Sequence, residues 1–266
     1  MTAPCSPPPQ APPAGADAPA PMPAAVSQMH RRIILVAGLI SATFVLATAL
    51  AHVIYREGTN TLPGFGLYDV DSEANVPTWY ASTLLQVCSL LAFIISFHDA
   101  PAQRTGWRGI ALLLLLMGMD EVAGLHNVPS RRLSEVTGLG QGYLMNAWVI
   151  PAAVVLIVLG LVYLPFVWRL PRWLKRALIM AGTAYLMGAV AFEVVGSRFE
   201  YEAGGVDYDA ARHYSFRFEM TAVAEEAYEH IGVLATLAIF LRHAFLLNSR
   251  FVLDFTQPRC LGVPAV

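Results

Sequence analysis

Six long apolar stretches, separated by short polar segments, make up most of the chain between residues 33 and 242. A helix of about 20 residues, rising about 1.5 Å per residue, crosses the hydrocarbon core of a bilayer. The stretches cover residues 33–55, 79–97, 109–126, 147–168, 177–195 and 215–242. The pattern therefore predicts an all-α, polytopic membrane protein built as a six-transmembrane-helix bundle.

Composition agrees with a membrane environment, because 56% of the residues are hydrophobic and only 14% are charged, against about 25% charged in soluble domains. The first 28 residues differ from the rest, since Pro and Ala dominate them, and this composition predicts a disordered tail. They lack the basic start and apolar centre of a signal peptide. We predict a six-helix transmembrane domain over residues 29–249 and a short irregular tail over residues 250–266.

Lys and Arg recur at the same side of the predicted bundle, which sets its orientation because cytoplasmic loops retain basic residues. The basic residues on this side are Arg31, Arg32, Arg104, Arg108, Arg169, Arg172, Lys175, Arg176, Arg242 and Arg250. Arg131 and Arg132 lie on the opposite side, where the loops are rich in acidic residues. The distribution predicts a multi-pass protein of the cell inner membrane with both termini in the cytoplasm.

Seven ionisable residues interrupt the third, fifth and sixth apolar stretches. They are Asp120, Glu121, Glu193, Glu225, Glu226, Glu229 and His230. Counted from the nearest predicted cytoplasmic arginine, Asp120, Glu193 and His230 lie 12, 17 and 12 residues into the membrane, or roughly 18 to 25 Å. Charged groups at such depth are costly and mark functional sites. We expect them to converge on one polar site in the outer half of the bundle.

Several carboxylates with one or two imidazoles form the ligand chemistry of di-iron and di-manganese sites in four-helix bundles. Oxygen donors with a few nitrogens suit iron, and manganese less well. The candidate metal ligands are Asp120, Glu121, His126, Glu193, Glu226, Glu229 and His230, and Glu121 and Glu226 are the candidate catalytic residues. The spacings differ from the usual Glu-x-x-His motif, so Asp120 or Glu121, but not both, should pair with His126 unless the helix unwinds near Gly124.

Three segments carry a family resemblance: residues 68–79, 119–126 and 225–232. They resemble segments of little-characterised bacterial six-span membrane proteins with an intramembrane carboxylate and histidine cluster. Membrane-bound carotenoid-ring hydroxylases are the kind of enzyme that this resemblance suggests. The resemblance extends over most of the chain from residue 50 onward, and it implies a six-span bundle with a polar site.

Two classes of function fit these residues. The first is a metal-dependent, di-iron oxygenase or hydroxylase that takes a carotenoid, isoprenoid or acyl lipid from the bilayer and electrons from a donor, with no role for nucleic acid. The second is a proton- or divalent-cation-coupled transporter that uses the same carboxylates. The clustered histidine boxes of membrane fatty-acid desaturases are missing from the sequence. A purely structural network of neutral carboxyl groups is the remaining alternative.

Overall fold

The computed structural model describes residues 21–55, 62–126, 133, 141–203 and 215–247. Within these ranges the chain is all-helical, without strands, as the sequence predicts. The six long helices are α1 Ala24–Ile54, α2 Val76–His98, α3 Arg104–Ala123, α4 Val149–Arg169, α5 Arg172–Glu202 and α6 Phe216–Leu247. All except α3 are long and apolar enough to cross a membrane, which indicates a multi-pass membrane protein.

Helix α3 differs because charged residues occupy both of its ends, Arg104 and Arg108 at one and Asp120 and Glu121 at the other. Its uninterrupted apolar part, residues 109–119, is therefore shorter than the about 20 apolar residues of a typical membrane-spanning helix. It pairs closely with α2 instead. Ser82 Oγ of α2 donates a 2.5 Å hydrogen bond to the carbonyl oxygen of Gly118, near the acidic end of α3.

The helix boundaries follow from local chemistry. The Asn75 side chain accepts a hydrogen bond from the backbone N–H of Thr78 at 3.1 Å and so caps the start of α2. Gly124 has a left-handed φ of 55° and ends α3. Helix α1 begins at Ala24, so residues 24–28 of the predicted disordered tail are helical. Residues 1–20 and the predicted tail 250–266 lie outside the described residues.

Helix α6 lies at the centre of the bundle, where it packs against α1, α2 and α5. The hydrophobic core forms around it from fully or nearly fully buried side chains. Large members of this core are Leu85 and Ile95 of α2, Trp107 of α3, Phe166 of α4, Leu174 of α5 and Phe240 of α6. Trp107 stands edge-on to both Phe166 and Phe240, with ring centroids 5.5 and 5.4 Å apart, so one aromatic cluster joins three helices.

A buried polar group closes the end of the bundle where α2 turns into α3. Asp99 Oδ2 accepts hydrogen bonds from Trp107 Nε1 at 2.6 Å and from His243 Nε2 at 3.3 Å. Burial alone would raise the pKa of Asp99, but the hydrogen bonds from His243, the Ala100 N–H and Trp107 hold it below the ordinary aspartate value. Asp99 therefore ties the α2–α3 turn to the end of α6.

Helix α5 changes geometry near its middle. Its first part, Arg172–Leu186, and its last part, Glu193–Glu202, are α-helical, whereas Met187–Phe192 forms a π-helical segment between them. Short π-helical segments are often found at functional sites. This one ends directly before Glu193 and lies against α6.

Candidate functional site

A small cavity inside the bundle is bounded by four helices. Its polar lining consists of Glu121 from α3, Tyr185 from α5, and Glu226, Glu229 and His230 from α6. Its apolar wall consists of Ala81, Leu84 and Leu85 from α2 and Val233 from α6. Three carboxyl groups, one imidazole and one phenol thus share a compartment that is otherwise hydrocarbon.

His230 is held in one orientation by its neighbours. Its ring Nδ1 lies 2.9 Å from the Glu226 carbonyl oxygen, to which it donates as Nδ1–H. Tyr80 stacks on the ring at a centroid distance of 6.1 Å and an interplanar angle of 16°, and the Tyr80 hydroxyl donates to the Ala37 carbonyl at 2.6 Å. The imidazole is therefore clamped between the backbone of its own helix and an aromatic ring tied to α1.

The second ring nitrogen of His230, Nε2, is buried without a hydrogen-bond partner among the described residues. The side chain is only 5% exposed, and within the described part of the chain Nε2 has no hydrogen-bond partner. Because Nδ1 carries the proton, Nε2 presents a lone pair, which is the form in which histidine binds metals. Buried polar atoms without a partner are uncommon in folded proteins.

A second pair of carboxyl groups lies beside the cavity. The side chains of Glu193 of α5 and Glu225 of α6 are hydrogen-bonded to each other. Trp148 Nε1 donates to Glu193 Oε1 at 2.9 Å. Glu225 thus faces α5, whereas Glu226 and Glu229 face the cavity.

Asp120, in the last turn of α3, and His126, just after the helix, form a third group. His126 Nδ1 lies 3.1 Å from Asp120 Oδ2, and the His126 backbone N–H donates to Asp120 Oδ1 at 2.9 Å. The turn at Gly124 makes this return of the chain possible. The hydrogen bond to Asp120 raises the pKa of His126 above the ordinary histidine value, although burial opposes it.

The loop before α2 adds further negative charge. Thr48 of α1 anchors it, because the Thr48 hydroxyl donates to the Tyr68 carbonyl at 3.2 Å and accepts from the Val70 N–H at 3.3 Å. Electrostatic repulsion from Asp71 acts on the Glu225 and Glu226 carboxyls. The site therefore concentrates acidic groups from a loop and three helices.

The candidate ligands fall into three neighbouring groups rather than one. Glu121, Glu226, Glu229 and His230 line the cavity, Glu193 pairs with Glu225, and Asp120 pairs with His126. In the ranges that the structure describes, no three His, Cys, Asp or Glu side chains are arranged to hold one metal ion. The cavity lining nevertheless offers oxygen and nitrogen donors of the kind that iron binds.

Three aromatic residues of the site were not predicted from the sequence: Tyr80, Trp148 and Tyr185. Tyr185 carried a usable signal, because tyrosines in membrane helices concentrate at the interfaces and a buried one needs a hydrogen-bond partner. Trp148 carried none, since its position near the end of an apolar stretch is ordinary for tryptophan in a membrane protein.

The fold and this cluster define a class: helical, multi-pass membrane proteins with a carboxylate-rich polar site inside the bundle. The chain belongs to the family described as Domain of unknown function (DUF8692), which matches residues 33–244. That match includes all the candidate ligands. Comparisons with curated proteins and with solved structures gave no match.

Proposed function

We propose that the protein is an integral membrane metal-dependent hydroxylase, with a di-iron centre, that oxidises a lipid-soluble substrate. The observation that carries this proposal is His230 Nε2, which is buried and unpartnered in the described part of the chain, on a side chain that lines a cavity with three carboxyl groups. Carboxylates with an imidazole are the donors that iron and manganese prefer.

The proposed topology has six spans, with both termini on the cytoplasmic side of the inner membrane. Basic residues from different helices gather at one end of the bundle, which supports this orientation. Lys175 Nζ lies 4.6 Å from the centroid of the Trp168 ring, and the Arg242 guanidinium lies 5.9 Å from that of Trp173. The cavity is at the other end of the helices, toward the acidic loop of Asp71.

In this proposal the metal ligands are Glu121, Glu226, Glu229 and His230, with Glu226 and Glu121 closest to the chemistry. Iron, when bound, would supply activation of dioxygen. Hydroxylation consumes one dioxygen, two protons and two electrons, and it yields an alcohol and one water. The electrons would come from a separate donor protein or reduced cofactor.

The residues around the proposed ligands would bind the substrate and support a second ion. Leu84, Leu85 and Val233 exclude water from the cavity and offer a hydrocarbon substrate an apolar surface. A carotenoid, isoprenoid or acyl chain would reach such a site laterally from the bilayer. The Glu193–Glu225 pair and the Asp120–His126 pair lie outside the cavity lining and could add ligands for a second ion.

Elemental analysis of the detergent-purified protein tests the proposal directly. We expect about two irons per chain in the wild type, and loss of iron in both Glu226→Ala and His230→Ala. Glu202→Ala is the matched control, because Glu202 is exposed and pairs with Arg198 at 2.8 Å, away from the cavity. That variant should keep its iron.

Two results would contradict the proposal. Full iron content in Glu226→Ala would remove the assigned ligands. A wild-type protein without metal, even after reconstitution with ferrous iron, would turn attention to proton-coupled transport by the same carboxyl groups.

A further inference from the structure

We infer that Tyr185 is a positioning residue of the metal site, which holds the Glu229 carboxylate in place for the ion. The inference rests on the proposed function, since it concerns the same cavity. Tyr185 lies within the span of α5, and its side chain lines the cavity together with Glu229. The Tyr185 hydroxyl and the Glu229 carboxylate are hydrogen-bonded, with the phenol as donor.

Helices α5 and α6 pack very closely on both sides of this hydrogen bond. On α6, Gly232 packs directly on the backbone of Tyr185, because a Cβ at Gly232 would lie only 2.7 Å from the Tyr185 nitrogen. On α5, Gly188 packs on α6 in the same way, because its Cβ would lie 2.7 Å from Glu229 Cγ. Each glycine thus faces one partner of the Tyr185–Glu229 hydrogen bond. Small residues allow this close approach of helices in membranes.

The hydrogen bond has a definite consequence for a carboxylate ligand. A glutamate has three rotatable bonds, and in a site crowded with like charges its carboxylate would turn away from its neighbours. Repulsion from Glu121 and Glu193 acts on Glu229. A donor that fixes one oxygen opposes this repulsion and leaves the other oxygen for an ion. Partners that orient metal ligands in this way typically contribute about 10- to 100-fold to metal affinity.

Tyr185→Phe tests the inference because it removes only the hydroxyl. Wild-type and variant proteins, stripped of metal, are titrated anaerobically with ferrous iron against a chromogenic chelator. We expect iron affinity to fall about 10- to 100-fold, while iron content at saturation and the melting temperature of the metal-free protein stay unchanged. Tyr163→Phe is the control, since Tyr163 lies on α4 beside Gly109, away from the cavity lining.

The outcomes separate this inference from the proposed function. Equal iron affinity in wild type and Tyr185→Phe overturns the positioning role and leaves the metal site standing. A visible phenolate-to-iron absorption band that disappears in Tyr185→Phe also overturns it, because Tyr185 would then be a ligand itself. A wild-type protein that takes up no iron overturns both.

Discussion

Replacing Gly232 by alanine should separate α5 from α6 at the site. The added methyl carbon would lie 2.7 Å from the nitrogen and Cβ of Tyr185 and 2.8 Å from its Cα. Carbon atoms in favourable contact are about 3.5–4.0 Å apart, so the backbones must move apart by about 1 Å. Overpacking of this kind costs about 1–3 kcal/mol, and the better helix propensity of alanine returns at most about 1 kcal/mol.

The net loss should be visible as a lower melting temperature in detergent. For a chain of this size, 1 kcal/mol corresponds to roughly 2–4 °C, so we expect Gly232→Ala to melt several degrees below the wild type. Gly182→Ala, on α5, is the matched control, because a Cβ there meets nothing within 4 Å. It should melt at the wild-type temperature or slightly higher.

The same displacement should weaken the Tyr185–Glu229 hydrogen bond. Gly232→Ala is therefore expected to lose iron affinity by about as much as Tyr185→Phe, and the double variant should lose little more than either single one, since coupled sites are not additive. Additive losses in the double variant, or a Gly232→Ala protein as stable as Gly182→Ala, would refute the packing argument.

Two further predictions concern the rest of the bundle. The hydrogen bonds that depress the pKa of Asp99 contribute stability above the ordinary aspartate pKa, and this stability is lost as the pH falls through the lower, folded-state value. The melting temperatures of the wild type and of Asp99→Asn should therefore converge below about pH 4. A difference in melting temperature that stays constant with pH would contradict this prediction. Ser89 Oγ donates to the Ala111 carbonyl at 2.6 Å and joins α2 to α3; Ser89→Ala should cost about 0.6 kcal/mol, the average for such interhelical bonds, and an unchanged melting temperature would show that the bond contributes nothing.

The positions of the helices could be predicted because each depends on a long local pattern. Apolar length, basic flanks and caps such as Asn75 and Gly124 all act within a few residues of the element that they define. Among the six long helices, α3 is the one that is not apolar enough to cross a membrane, because charged residues occupy both of its ends. Its pairing with α2 comes from hydroxyl-to-carbonyl bonds that no periodicity encodes.

The grouping of the acidic residues could be predicted only in part. Depth in the membrane follows from counting residues, and Glu121, Glu226, Glu229 and His230 do line one cavity. Which acidic side chains pair with each other does not follow from residue spacing. The π-helical segment Met187–Phe192 changes the register of α5 directly before Glu193. Glu193 consequently meets Glu225, which the sequence left without a definite partner.

The contacts of the buried polar atoms distinguish an ion-binding site from a structural network of carboxyl groups. A structural network is closed: every donor meets an acceptor, since an unsatisfied group at this depth costs more than it contributes. The Glu193–Glu225 pair meets that condition. His230 does not, because its ring is fixed on one side by the Glu226 carbonyl and Nε2 has no hydrogen-bond partner in the described part of the chain. This difference between His230 and the paired carboxyl groups is the reason for proposing an ion-binding site over a purely structural network.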